Sequence, residues 1–238
     1  MNVIKNIKLI AVYVILMGVL GVSCKKSFLD EYNPSNQTTD KFYVDQAGFE
    51  SLVTSCYPLL RDISQQRALS TLGTDVFASG GWAAVYYNQS NPLGSAYDQY
   101  DVRLNASSAE IQTLWDLLYR EINRCNTAVS RAPAITGITD SLRKIRVGEA
   151  KFLRSLCLFW AVQQWGDIPM PLEEAKGASL VVTKAAAKDV YSQLITDLTE
   201  CVSNLPVKQN DMGRATQGAA KFLLSRVYLT RGWNFNNS

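Results

Sequence analysis

The sequence predicts an all-α fold of stacked helix pairs, interrupted by one long, irregular, aromatic-rich loop. Apolar residues recur at helical spacing in four long stretches, each bounded by capping or breaking residues. The interval between residues 70 and 106 lacks that period and is rich in Gly, Asn, Ser and aromatic residues instead. The four helices fall into two pairs around a short extended linker, with Gly218, Ala219 and Ala220 placed where neighbouring helices would approach closely. At 238 residues and 47% apolar content, the chain is large enough to bury a core in one or two domains.

The chain opens with Lys5 and Lys8, an uncharged apolar run from Leu9 to Val22, and then Ser23-Cys24. A basic start, about 7–15 apolar residues and a small residue before the cut form the pattern of a secretory signal. A run this short is below the roughly 18–20 residues that span hydrocarbon. Cys24, followed at once by Lys25, Lys26 and Ser27, resembles the end of a bacterial lipoprotein box, although Gly21 stands where that box usually has Leu and Leu20 is displaced by one. The resemblance implies cleavage after a signal peptide of residues 1–23 and acylation of the Cys24 thiol, giving a membrane attachment through lipid. Residues 24–44 read as a polar tether, because SFLDEYNPSNQTTD offers no apolar face to bury.

Residues 45–238 are expected to form the helical domain. The first helix begins after Asp45, a good N-cap, and carries Phe49, Leu52, Val53, Cys56, Tyr57, Leu60 and Ile63; Pro58 is expected to kink it or end it early. The loop follows, with Gly73, Gly80, Gly81, Gly94 and Pro92 among the aromatics Phe77, Trp82, Tyr86, Tyr87, Tyr97 and Tyr100. Loops of this length are functional or disordered, and so many aromatics argue against disorder. Ser107 and Glu110 then have capping-box spacing, opening a helix with one stripe of Ile111, Leu114, Trp115, Leu118, Ile122, Cys125 and Val129 that Pro133 stops. The next helix starts near Asp140, carries Ile145, Phe152, Leu153, Leu156, Phe159 and Trp160, and halts at Gly166 and the prolines beyond it. A third runs from about Lys184 through Val190, Tyr191, Leu194, Ile195, Leu198 and Val202 to Leu205-Pro206. The fourth starts near Thr216 with Ala219, Ala220, Leu223, Leu224, Val227 and Tyr228, and Gly232 is its expected C-terminal cap. Such pairs resemble tetratricopeptide-like stacking, which normally needs about three units to cover its apolar faces. Because the chain stops at Asn234–Ser238, just past the fourth helix, it reads as a fragment or truncated frame.

Composition removes several chemistries. Without Lys5 and Lys8, 22 Lys and Arg face 21 Asp and Glu with no basic block, so no nucleic-acid partner is expected. Histidine is absent, which excludes Ser-His-Asp and Cys-His catalysis. Of the cysteines, Cys56, Cys125 and Cys157 occupy apolar positions of helical patterns and read as buried free thiols; no CxxC spacing suggests a metal, and no cofactor is expected.

Two blocks carry a resemblance to a known family. Gly148–Leu156 (GEAKFLRSL), running into Trp165-Gly166-Asp167-Ile168-Pro169, and Gly213–Leu229 (GRATQGAAKFLLSRVYL) closely resemble signature segments of the RagB/SusD family of outer-membrane nutrient-uptake lipoproteins. Phe28-Leu29-Asp30 after the acylated start, and the stretch from Leu118-Tyr119 to Asn126, fit the same family. The resemblance covers essentially the whole chain but only the N-terminal half of a family member. It implies a SusD-like N-terminal region, lipid-anchored at the outer-membrane surface and paired with a TonB-dependent, SusC-like transporter. It further implies capture of oligosaccharides or, in some members, peptides, without catalysis.

Within that frame the glycan-binding candidates are Trp82, Tyr86, Tyr87 and Asn88, since sugars stack on aromatic rings while amides bond their hydroxyls. The alternative is that the same rings pack the loop onto the helices. A carboxylate-based glycosidase is the contrasting reading, with Asp75, Asp98, Asp101 and Glu110 as the nearby acids, but their spacing carries no signature. A purely structural helical adaptor leaves the aromatic loop unexplained. Glu149 and Arg154, five apart and off the i,i+4 pairing, are expected to play structural charge roles.

Overall fold

The computed structural model describes residues 39–66, 69–74, 76, 97, 100, 104–177 and 182–234. Among them the chain is helical without a strand: α1 (Thr39–Phe42), α2 (Gln46–Ser55), α3 (Pro58–Ser64), α4 (Ala109–Arg131), α5 (Asp140–Trp165), α6 (Ala187–Asn204) and α7 (Gln217–Asn234). The all-α expectation holds. The short α1 lies within the segment read as tether.

Local chemistry sets most boundaries. Asp45 caps α2 by accepting from the Gly48 N–H at 2.8 Å. Pro58 does more than kink the first helix: it stands at the first position of a separate helix, α3, where its missing N–H costs nothing. Thr139 caps α5 through the Leu142 N–H at 3.3 Å. Gly166 ends α5 at φ +69°, a conformation that favours glycine. Two expectations fail. The capping box at α4 does not form: Ser108 is the N-cap residue, its hydroxyl accepts from the Asn105 N–H, and Glu110 instead accepts from Tyr97 Oη at 3.1 Å. Gly232 is no cap either, because α7 continues through it to Asn234.

The four long helices stack in sequence order, and side-chain pairs set their direction. Asn126 meets Arg154 while Tyr119 reaches Pro169, so numbers rise along α4 as they fall along α5. Likewise Arg154 meets Asp197, Lys151 meets Glu200, and Cys201 meets Gly148, making α5 and α6 antiparallel. This is the tetratricopeptide-like hairpin arrangement that the periodicity predicts. The main core lies between them, with Leu118, Ile122, Leu158, Phe159, Tyr191, Leu194 and Leu198 essentially inaccessible; a satellite core of Phe49, Leu52, Val53, Ala128 and Ala150 fastens α2 to the first pair. Small residues act where helices touch, but fewer than expected: Ala220 is buried, whereas Gly218 is exposed. Gly148 is the closer approach, since a Cβ there would stand 3.3 Å from the Leu205 side chain.

Helix α7 differs from its neighbours. Val227 and Leu223 are buried, while Phe222, Leu229 and Trp233 are exposed on it at 66, 71 and 85%. Among the described residues no helix is long and apolar enough to cross a membrane.

Candidate functional site

The two signature blocks meet at a single buried carboxylate. Glu149 of α5 is fully inaccessible, and all its acceptor capacity is used. Its Oε1 accepts from Arg146 at 2.6 Å and Gln209 at 3.2 Å; its Oε2 accepts from Tyr57 Oη at 2.6 Å and Arg214 at 3.0 Å. Glu50 of α2 bonds the same two arginines, at 2.6 and 3.3 Å. Burial, reinforced by the Glu149 charge, pushes the Tyr57 phenol well above its usual range, so it stays a donor. That hydroxyl also accepts from the Ala215 N–H at 3.0 Å. The GEAKFLR and GRAT segments are therefore two halves of one charge node that ties α2, α5 and the start of α7 together.

Arg154, one helical turn further along α5 and 2% exposed, builds a second node. It donates to Asp197 at 2.6 Å, to Asn126 at 2.9 Å and to the Leu172 carbonyl at 3.1 Å. Glu149 and Arg154 do not pair with each other; each finds partners on different helices, in the structural roles expected of them. The WGDIP segment acts in the same way. Asp167 accepts from the Ala187 N–H at 2.8 Å and so caps α6 from outside it, while buried Ile168 bridges Ala185. The Pro169 and Pro171 carbonyls accept from Tyr119 and Asn126.

Glu121 of α4 contrasts with both nodes. It occupies a position on the apolar stripe, has no exposed surface, and accepts one weak bond from the Cys125 thiol at 3.3 Å. Burial pushes its carboxyl up to about 7, against smaller opposing effects of Cys125 and Arg124.

The candidate ligand contacts Trp82, Tyr86, Tyr87 and Asn88, the acylation candidate Cys24, and the acids Asp75, Asp98 and Asp101 lie outside the described residues. Of the loop's aromatics, Tyr97 is buried against Glu110 and Tyr100 is exposed, with its hydroxyl donating to the Gly73 carbonyl at 2.7 Å. A cleft of about 370 Å³ opens between α3, α4, α5 and α7, and Trp160, Gln66, Gln163, Gln164, Ser64 and Arg226 line it. A ring beside amides and hydroxyls is chemistry suited to neutral polyhydroxylated ligands. Sequence reasoning missed this cleft because its lining comes from four helices and the turn after α3, each contributing three residues or fewer.

Fold and site together define a class first: an all-helical scaffold of stacked pairs whose interior charges fasten helix to helix. Residues 27–229 match the family model SusD-like, described as "Starch-binding associating with outer membrane", and the chain belongs to this family. A SusD-like protein of Bacteroides ovatus is 26% identical over 222 residues, covering 91% of this chain and 38% of the relative. SusD-like protein P25 of Formosa agariphila is 25% identical over 232 residues, covering 94% and 43%. The chain thus spans about two-fifths of the length of these relatives. Among solved structures, a laminarin binding SusD-like protein superposes with a TM-score of 0.66 at 25% identity, over 81% of this chain and 41% of that one. A SusD superfamily protein from Bacteroides vulgatus shares the fold at TM-score 0.66 and 20% identity, over 80% of this chain and 41% of its own.

Proposed function

We propose that this protein is a lipid-anchored component of the outer-membrane surface that binds a nutrient glycan and passes it, uncleaved, to a TonB-dependent transporter. The observation that carries the reading is the family match over residues 27–229. The joining of its two signature blocks at Glu149 supports it. The laminarin binding relative makes a β-glucan the first ligand to titrate. Trp82, Tyr86, Tyr87 and Asn88 are the proposed contacts, rings for stacking and an amide for hydroxyls. Cys24 is the proposed acylation site; Cys24→Ala should abolish fatty-acid labelling and release the protein from the membrane fraction.

The binding reading is tested by titrating the protein with a glycan panel headed by laminarin, while assaying for new reducing ends. Binding without release of reducing ends is expected. Trp82→Ala should weaken affinity about ten-fold, roughly 1–2 kcal/mol, with an unchanged melt. A collapsed melt with unaltered affinity per folded molecule would reject the stacking platform, and reducing ends that grow with protein concentration would reject the binding role itself.

A further inference from the structure

Three polar side chains, two on neighbouring turns of α4 and one from just past α2, converge inside the core where α2, α4 and α5 meet. Cys56, just past α2, and Cys125 and Glu121 of α4 all have zero exposure. Their thiol sulfurs and a carboxylate oxygen lie within 4.8 Å of one another. Leu153, Phe152 and Leu60 close around the thiols. The Glu121 Oε2 is buried with no hydrogen bond. The nearest cation, Arg124, stands 3.9 Å away and spends the same nitrogen on the Ser55 carbonyl at 2.8 Å. A helix that needed only packing here would carry Leu or Ala at 121; an orphaned carboxylate oxygen is a penalty that calls for an occupant.

We propose that Cys56, Cys125 and Glu121 form a buried structural site for a zinc-class divalent cation. Two thiolates and one carboxylate are a donor set that borderline-soft ions accept, and their mutual spacing lets one ion reach all three with small side-chain adjustments. Binding displaces the thiol protons to solvent and gives Glu121 Oε2 the partner it lacks. Two thiolates, a carboxylate and a dication leave one negative charge, which Arg124 faces. Cys157 of α5 is a further buried free thiol in the same core, raised by burial first and then by the Glu121 and Cys56 charges. Closure of such a site during folding would add a staple between α2 and the α4–α5 pair, beside the satellite core and the Glu50–Arg146 and Ser55–Arg124 bonds that already join them. The 68 residues between Cys56 and Cys125 hide the site from any motif search, since it has no CxxC spacing to find.

The test uses the full chain carrying Cys24→Ala, refolded under argon with a phosphine reductant and one equivalent of Co²⁺. One Co²⁺ per chain is expected, with the near-ultraviolet thiolate-to-cobalt band and visible bands of a tetrahedral ion, both lost on adding Zn²⁺. Cys125→Ser should cut the thiolate band to about half or less, the double variant Cys56→Ser/Cys125→Ser should remove it, and Glu121→Gln, nearly the same shape, should lower affinity about ten-fold or more while circular dichroism stays helical. Cys201→Ala, a buried thiol elsewhere in the core, should leave all signals unchanged. Substoichiometric Co²⁺, or a thiolate band of undiminished intensity in folded Cys125→Ser, overturns the site. So does a Cys56–Cys125 disulfide found by mass spectrometry in protein isolated without reductant.

Discussion

Glu149 and Glu121 are both glutamates with no exposed surface, on adjacent helices of the same stack, and they are solved in opposite ways. Glu149 has a phenol, two guanidiniums and an amide arranged on its two oxygens, whereas Glu121 has one thiol and an unbonded oxygen. The difference teaches that burial alone does not set the fate of a carboxyl; the donors that arrive with it do. A fully partnered ion is costly to disturb, because removing one member leaves the others charged in the dark. An unpartnered acid escapes that cost by taking up a proton or an ion.

The sharpest way to break the comparison is Glu149→Ala. It takes from Arg146 and Arg214 their one fully buried partner, leaving them the partly exposed Glu50, and a loss of about 3–5 kcal/mol is expected in urea denaturation; a loss below about 1 kcal/mol would mean that the node is cosmetic. Next comes the pH response of Glu121, read with EDTA present. Its folded value, about 7, stands above the ordinary 4.5, so the native state holds a proton that the unfolded chain has released. That contribution is complete below about pH 4.5, is lost as pH rises toward 7, and amounts to about 3 kcal/mol. Glu121→Gln lacks this slope, and its stability relative to the parent should rise by about that amount between pH 4.5 and 8. A smaller effect is expected from Tyr57→Phe, which removes one charge-assisted bond to Glu149 and leaves the Ala215 N–H without an acceptor: about 2 kcal/mol in the same melt. Smallest is Asp211→Asn. Asp211 bonds Arg214 at 3.1 Å, yet it is 71% exposed, and a change below about 0.5 kcal/mol would confirm that water, not geometry, decides the worth of the outer pairs.

The helices were legible because each is an amphipathic stripe with a punctuating residue, as Asp45, Gly166 and Pro58 illustrate. What escaped were the polar residues on those stripes. Glu121 and Asn126 lie on the buried face of α4, at positions that helical periodicity assigns to apolar side chains, and a polar residue at such a place was the available signal. Asn126's partner, Arg154, belongs to another helix, and the Cys56 thiol that lies near Glu121 comes from the end of another, so no spacing rule reaches them. The Ser107–Glu110 capping box misled for a related reason: the tertiary partner Tyr97 took the carboxylate that the local rule had reserved for a backbone N–H. The two signature blocks could be recognised separately, but their union at Glu149 and Arg214 is a property of the packed stack.

That union has a kinetic side. The bond from Arg214 to Glu50 joins residues 164 apart in sequence, while the α4–α5 and α5–α6 contacts are made between neighbours along the chain. Closing so long a loop is entropically expensive, so the neighbouring hairpins form first and the clasp snaps shut after the rate-limiting step. A late clasp governs how long the folded state lasts rather than how fast it is reached. Arg214→Met should therefore quicken unfolding in stopped-flow experiments while leaving the refolding limb nearly unchanged, making this arginine a latch on lifetime.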